Sequence, residues 1–159
     1  MMKRVMSILG AGLLLAVSAG VLASSGDPDK QKVVYHVNYD DPAHQAAALR
    51  NIQNHINAVG ADKLDLRVVM HGDGLSLLLY PDALSKTKLK HGNADEAMQA
   101  RISGLKDQGV QFEVCANTLK GKHVNREQDL YDASEKDVVP SGVAELAHLQ
   151  NMGYAYIKP

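Results

Sequence analysis

The sequence of 159 residues has few of the side chains that several protein classes need. It contains one cysteine, one Phe and no Trp, and aromatic residues make up 4% of it. A single cysteine cannot close an intramolecular disulfide, which excludes a disulfide-stabilised scaffold. The 17 basic and 18 acidic side chains nearly cancel, and no basic stretch is interleaved with aromatic residues. We therefore expect no nucleic-acid partner.

The remaining composition is typical of one compact domain. Hydrophobic residues make up 45% of the chain and charged residues 22%. Because aromatic residues are scarce, Leu, Val, Ile, Ala and Met must fill the core. Such a core suits helices packed on a β-sheet.

The first 23 residues have the pattern of a cleaved secretory signal. Lys3 and Arg4 form a short positive segment, an uncharged run rich in Leu, Ala and Gly covers residues 8–22, and the small Ala23 follows. A retained membrane anchor is the alternative, but the run is shorter than the roughly 20 apolar residues that span a bilayer. We expect cleavage after Ala23, a flexible lead-in over residues 24–31, and a periplasmic mature protein without membrane association.

From residue 32 to the end, β-rich segments alternate with segments of helical period. Strands are predicted at residues 33–39, 64–70, 112–116, 138–139 and 154–157. A short apolar helix is predicted at residues 74–80, and the Lys-rich residues 81–92 form a long connection of the kind that is often mobile or functional. This alternation is the basis for the predicted fold.

Three longer helices are predicted between the strands. The first begins at Pro42 after the capping residue Asp41, the second follows a capping box at residues 93–96, and the third follows Ser141. Each stops at a glycine that a β-rich segment follows, and these glycines are Gly60, Gly109 and Gly153. The pattern indicates repeated βαβ units, that is, an α/β fold whose mostly parallel sheet has helices on both faces.

Ligands of such sheets bind at the carboxyl ends of the strands, and Cys115 lies at one of these ends. It is either buried as a small hydrophobic side chain or used as a nucleophile. The second interpretation rests on the turn at Asn117 and Thr118, which can open a helix whose amides favour a thiolate, and on nearby cations such as Lys120.

His71 lies at the end of another strand and has two interpretations of its own. It precedes Gly72 and Gly74, which permit a tight turn or the close approach of a ligand. If the two strands are neighbours, His71 and Cys115 face one crevice, where they support thiolate chemistry or bind a soft metal. A plain loop histidine is the alternative. His36, which points away from Tyr35, is interpreted as a satisfied core residue.

Other chemical motifs are missing from the sequence. It contains neither a phosphate-binding loop nor a G-x-S-x-G elbow, and His44 and His55 do not have the i,i+4 spacing of metal-binding pairs. We expect no resident cofactor and no metal.

Three segments resemble the DsrE/DsrF-like proteins of the YchN-like group. Residues 112–119, FEVCANTL, are similar to the family's cysteine motif, residues 68–75, VVMHGDGL, to a strand and turn of its exported members, and residues 153–159, GYAYIKP, to their closing strand. The resemblance covers residues 32–159. It implies a three-layer α/β/α fold with a parallel sheet of about five strands.

The resemblance also implies a function and an assembly. Family members with known roles act in sulfur trafficking, where a cysteine at the position of Cys115 carries sulfane sulfur as a persulfide. Members tend to form homotrimers or hexamers, and we expect the same here, since residues 74–79 offer an apolar helix face that a single layer of helices does not cover. The known carriers work with partner proteins in the cytoplasm, whereas this chain has an export signal.

Two functions of different class follow. In the first, a sulfur carrier or sulfurtransferase-like protein uses Cys115 as acceptor and His71 as a supporting residue, with Gly72, Gly74, Asn117, Thr118 and Lys120 around them. A sulfur donor or acceptor protein would be its partner. In the second, a noncatalytic module binds a small ligand or a soft metal in the same crevice. An oligomer with an inert, buried Cys115 is a third possibility.

Overall fold

A computed structural model describes residues 30–159 of the chain. The predicted signal peptide, residues 1–23, lies outside the described residues, as does most of the predicted lead-in. The first strand begins at Gln31, which is the last residue of that lead-in. Within residues 30–159, no helix combines the length and the apolar character that crossing a bilayer requires.

Five parallel strands form one sheet at the centre of the fold. They are β1 (Gln31–Val37), β2 (Leu64–Met70), β3 (Gln111–Cys115), β4 (Val138–Val139) and β5 (Ala155–Ile157), and they lie in the order β4-β3-β2-β1-β5. The register pairs Val37 with Met70 and Met70 with Val114, so β1, β2 and β3 end at the same edge. The predicted α/β fold with a parallel sheet of about five strands is confirmed.

Helices lie on both faces of this sheet. They are α1 (Pro42–Val59), α2 (Glu96–Lys106), α3 (Ala116–Lys122), α4 (Arg126–Asp129) and α5 (Gly142–Asn151). The main core joins Val33, Tyr35 and Val37 of β1 to the apolar sides of α1 and α2. The alternate residue Val34 lies in a second cluster with Leu146 and Leu149 of α5. The two-residue period of β1 therefore assigns one face to α1 and α2 and the other to α5.

Capping side chains fix where the helices begin. Asp41 accepts a hydrogen bond from the N–H of His44 at 2.6 Å, and Pro42 occupies the first turn of α1. The cap of α2 is Asp95, which accepts from the N–H of Met98 at 2.8 Å. The expected capping box at residues 93–96 is thus a single Asp cap.

The apolar segment after β2 is buried inside the chain itself. It forms the 3₁₀ helix Gly72–Leu77 and the residues just after it, and a second 3₁₀ helix, Pro81–Lys86, begins the connection that follows. Four leucines of the apolar segment are at most 1% exposed, and they are Leu75, Leu77, Leu78 and Leu79. The expectation that residues 74–79 leave an uncovered apolar face is therefore wrong, because the connection over residues 81–94 folds back over them. Within that connection, Leu89 is buried and the N–H of Lys88 donates to the carbonyl of Lys122 at 2.8 Å.

Gly74 brings the turn after β2 against the end of β1. A Cβ atom on Gly74 would lie 2.0 Å from the carbonyl oxygen of Val37 and 2.8 Å from the Cα atom of Asn38. These neighbours are backbone atoms, which cannot move aside as a flexible side chain can. Because the same turn begins at His71, the contact fixes the position of His71 relative to β1.

We predict that Gly74→Ala lowers the free energy of unfolding by about 3 kcal/mol, because the added methyl group overlaps backbone atoms. Urea unfolding followed by circular dichroism measures the change. Gly104→Ala is the matched control, since a Cβ atom at Gly104, inside α2, meets nothing within 4 Å. That variant should be unchanged or more stable by up to about 1 kcal/mol. Equal stability of the two variants would contradict the prediction.

Candidate functional site

The carboxyl ends of β2 and β3 place His71 and Cys115 at one edge of the sheet. The two strands are paired neighbours, as the crevice hypothesis requires. A side chain at Gly142, the first residue of α5, would have its Cβ atom 2.9 Å from the Cβ of His71 and 3.4 Å from the Cβ of Cys115. His71, Cys115 and the start of α5 are therefore in mutual contact.

Cys115 is buried, with 4% of its surface exposed, and its thiol is surrounded by hydrogen-bond donors. Burial raises the pKa of Cys115, but the hydroxyl of Thr118 and the backbone N–H groups of Gly142, Thr118 and Asn117 act in the opposite direction. The donors outweigh burial, and the net result is a pKa below the ordinary value of a thiol. Burial and activation, which the sequence presented as alternatives, occur together.

Thr118 connects the cysteine to the glycine turn after β2. Its Oγ1 accepts a hydrogen bond from the N–H of Gly72 at 2.9 Å, which leaves the hydroxyl proton directed at Cys115. Gly72 has a φ of 57°, a left-handed conformation that suits glycine. The backbone of this turn therefore orients the donor side chain of the thiol.

Gly142 is a residue of the candidate site that the sequence analysis did not single out. Its N–H contributes one of the donors to Cys115, and the lack of a side chain lets α5 approach both His71 and Cys115. A signal is present in the sequence, because Ser141-Gly142 puts a weak helix former directly after the cap. That signal does not reveal which atoms the helix start approaches.

The imidazole of His71 is hydrogen-bonded to another histidine. Its Nε2 lies 2.7 Å from the Nε2 of His36, and the Nδ1 of His36 lies 2.6 Å from the hydroxyl of Tyr156. Burial lowers the pKa of His36 to about 4, with further lowering by His71 and Lys158. Burial and Lys158 also lower the pKa of His71. Both rings are therefore neutral at pH 7.

His36 is a buried and satisfied residue, as interpreted from the sequence, but its partners belong to the candidate site. Tyr156, on β5, was not considered as a site residue at all. The sequence analysis could not relate the two, because nothing in it indicates that β5 pairs with β1.

The lysines near Cys115 contribute less to its lowered pKa than the sequence analysis expects. Lys122 forms an ion pair with Asp73 at 2.6 Å, and Lys120 is exposed on α3. The lowered pKa of Cys115 comes from hydrogen-bond donors rather than from these cations. Asn117 contributes its backbone N–H, while Gly74 shapes the turn without touching the thiol.

The donor set is poor for a metal ion. Within residues 30–159, the structure has no group of three or more His, Cys, Asp or Glu side chains arranged to hold a metal. Cys115 and His71 together supply two ligands, and the Nε2 of His71 already bonds to His36.

Comparisons with solved structures agree with this architecture. The chain is similar to MTH1491, a protein of unknown function from Methanobacterium thermoautotrophicum, with a TM-score of 0.66 and 28% identity over 82% of this chain and 100% of that one. It also has the fold of YchN from E. coli, with a TM-score of 0.57 and 19% identity over 81% of this chain and 99% of that one. No curated protein matches.

A family model matches nearly all of the described chain. The model is that of the DsrE/DsrF-like family, and the match covers residues 31–159, from β1 through Cys115 and α5 to the last residue. This confirms the resemblance found in the segments around Cys115, His71 and Tyr156. The chain belongs to the DsrE/DsrF-like family.

Proposed function

We propose that this protein is an exported sulfur-trafficking protein that accepts sulfane sulfur as a persulfide on Cys115 and passes it to another thiol. The observation that carries the proposal is the placement of the Thr118 hydroxyl and of the backbone N–H groups of Asn117, Thr118 and Gly142 around the thiol, which holds the pKa of Cys115 below its ordinary value in spite of burial. Membership of the DsrE/DsrF-like family, whose fold is of the sulfur-relay type, supports it. Export is inferred from residues 1–23 alone.

The transfer needs no external oxidant. The Sγ thiolate of Cys115 attacks the outer sulfur of a donor persulfide R–S–SH, a new S–S bond forms, and the bond between the two donor sulfurs breaks. Its electron pair leaves with R–S⁻, which takes up a proton to become R–SH. Cys115 is oxidised to the persulfide level while the inner sulfur of the donor is reduced to a thiol. An acceptor thiol then repeats the step on the persulfide of Cys115.

The residues around Cys115 have distinct parts in this chemistry. Backbone N–H groups of Asn117, Thr118 and Gly142 stabilise the attacking thiolate, and the same groups can hold the charge of the persulfide anion. Gly72 holds the hydroxyl of Thr118 in place. Lys120, exposed in the last turn of α3, is available to an anionic donor or a partner surface.

A noncatalytic module that binds a soft metal or a small ligand is the second candidate. Cys115 and His71 both lie against Gly142, and this proximity favours a shared ligand. Against it, N–H and hydroxyl groups surround the thiol, and the Nε2 of His71 bonds to His36. We therefore rank persulfide chemistry first.

We predict that the mature protein gains one sulfur atom on Cys115 when it is incubated with an alkyl persulfide donor. Intact-mass spectrometry of the native protein measures the addition, and reduction with dithiothreitol should remove it. Cys115→Ser should gain nothing, because Cys115 is the only cysteine. If the native protein stays unmodified while its denatured chain reacts, the proposed function is wrong.

We predict that Cys115 reacts with iodoacetamide at lower pH in the native protein than in the denatured chain. Its folded-state pKa is lowered, so the thiolate persists in a pH range where an ordinary thiol is protonated. Thr118→Val removes the hydroxyl donor and should move the alkylation midpoint to higher pH by about one unit. Thr118→Ser keeps the hydroxyl and is the matched control.

Two outcomes would count against this assignment. A native midpoint above that of the denatured chain would indicate that burial dominates and that the cysteine is inert. Strong protection of Cys115 by Cd²⁺ at stoichiometric concentration would favour the metal-binding module.

We also propose that the mature protein is a closed homo-oligomer, a trimer or a hexamer. Apolar side chains exposed on or beside α5 support this, and they are Val143 at 64%, Met152 at 45% and Tyr156 at 43%. Light scattering of protein that begins at Ser24 should give three or six times the mass of one chain. A monomer at micromolar concentration would contradict the proposal, and Val143→Glu should weaken the assembly.

A further inference from the structure

A groove separates α1 from α2, which lie side by side on the sheet face opposite to α5. Leu49 of α1 and Leu105 of α2 are each 2% exposed and form its floor. The groove holds a cavity of about 370 Å³, within the roughly 300–1,000 Å³ that is typical of small-molecule sites. A Cβ atom on Gly104, which also lines the cavity, would meet nothing within 4 Å. The structure therefore has open space above an apolar floor.

A pair of glutamines closes one end of the groove. The side-chain amides of Gln53, on α1, and Gln108, in the turn after α2, donate to each other at 3.0 and 2.9 Å. Gln53 lines the cavity itself. Because this bridge joins the two helices, it limits the length of an occupant. The closed end favours a small molecule over a third helix, which would need to continue along the whole seam.

Two guanidinium groups line the cavity, one from each helix. Arg50 belongs to α1 and Arg101 to α2, and both residues are exposed. Within residues 30–159, all ion pairs involve other residues, so neither guanidinium has a carboxylate partner. The described lining of the cavity contains no acidic side chain. The cavity therefore attracts an anion, and the forked N–H groups of arginine match the two oxygens of a carboxylate.

A second cavity beside the first has a different charge. It has a volume of about 300 Å³ and shares Arg101 with the first, but Asp95 also lines it. The carboxylate of Asp95 caps α2 by accepting a hydrogen bond from the N–H of Met98 at 2.8 Å. Because like charges repel, an anionic head group is disfavoured next to Asp95. Its preferred place is the first cavity, between the two guanidinium groups.

We propose that the groove between α1 and α2 binds a carboxylate with an apolar chain, such as a free medium-chain fatty acid. Its head group lies between Arg50 and Arg101, and its chain lies over Leu49 and Leu105. Two unpaired cations beside an apolar floor match both parts of such a ligand. The site is independent of Cys115, which contacts the start of α5 on the other face of the sheet.

Equilibrium dialysis with labelled octanoate tests the proposal on protein that begins at Ser24. We expect saturable binding of one octanoate per chain, with a Kd in the millimolar range or below. Acetate has the carboxylate without the chain, and octanol has the chain without the charge. Each should compete at least about tenfold more weakly than unlabelled octanoate, because each makes only one of the two kinds of contact.

Three substitutions locate the site. Arg50→Gln and Arg101→Gln each remove one cation and should weaken octanoate binding about tenfold. Gly104→Leu fills the groove and should abolish binding, and the open space above Gly104 lets the added side chain fit, which circular dichroism checks. Lys63→Gln is the matched control, because it removes an exposed cation that does not line the groove. Its affinity for octanoate should equal that of the native protein.

Several outcomes would overturn the proposal. Octanoate that does not bind saturably, or that octanol or acetate displaces as well as octanoate itself does, would remove the site. Equal weakening by Lys63→Gln would show that only the overall charge attracts the anion. A changed mass of Gly104→Leu in light scattering would show that a second copy of the chain occupies the groove instead. Binding that needs both arginines and the open space at Gly104 supports the site.

Discussion

The site depends on hydrogen-bond donors that converge on the sulfur of Cys115. A thiol with 4% exposure would normally resist ionisation, because burial withdraws water from the charged form. Here backbone N–H groups from the starts of α3 and α5, with the hydroxyl of Thr118, replace that water. The arrangement requires α5 to lie close over β2 and β3. Contacts of Leu146 and Leu149 with the sheet hold it there, and Gly142 supplies the space.

Much of the fold follows from local signals in the sequence. Apolar periods identified all five strands, and Asp41 and Ser141 marked the starts of α1 and α5. Strand ends also located Cys115 and His71 at one edge, because neighbouring parallel strands end together. The helices α3 and α4, of seven and four residues, are too short to show an apolar period, and the sequence indicated only a turn at residues 117–118 that can open a helix. Residues 74–79 were expected to be uncovered because the path of the connection after them is not a local property.

The residues that the sequence could not assign are those whose role depends on distant partners. Alternation in β1 predicts correctly that His36 faces away from Tyr35, but it cannot reveal that His71 and Tyr156 arrive from the two neighbouring strands. Gly142 presents the same difficulty, because a glycine after a helix cap has no distinctive meaning until the helix is packed. Sequence patterns thus locate the strand ends, and tertiary packing decides which atoms meet there.

The thiol and the imidazoles of the site owe their preferred protonation states to different causes. The thiolate of Cys115 is favoured by hydrogen-bond donors, most of them backbone N–H groups that do not titrate. The imidazoles of His36 and His71 are kept neutral by burial and by Lys158. A cysteine activated by an imidazolium loses its activation when that imidazolium loses its proton. Here the groups that lower the pKa of Cys115 are backbone N–H groups and a hydroxyl, so the activation of the nucleophile does not depend on the protonation of the histidines.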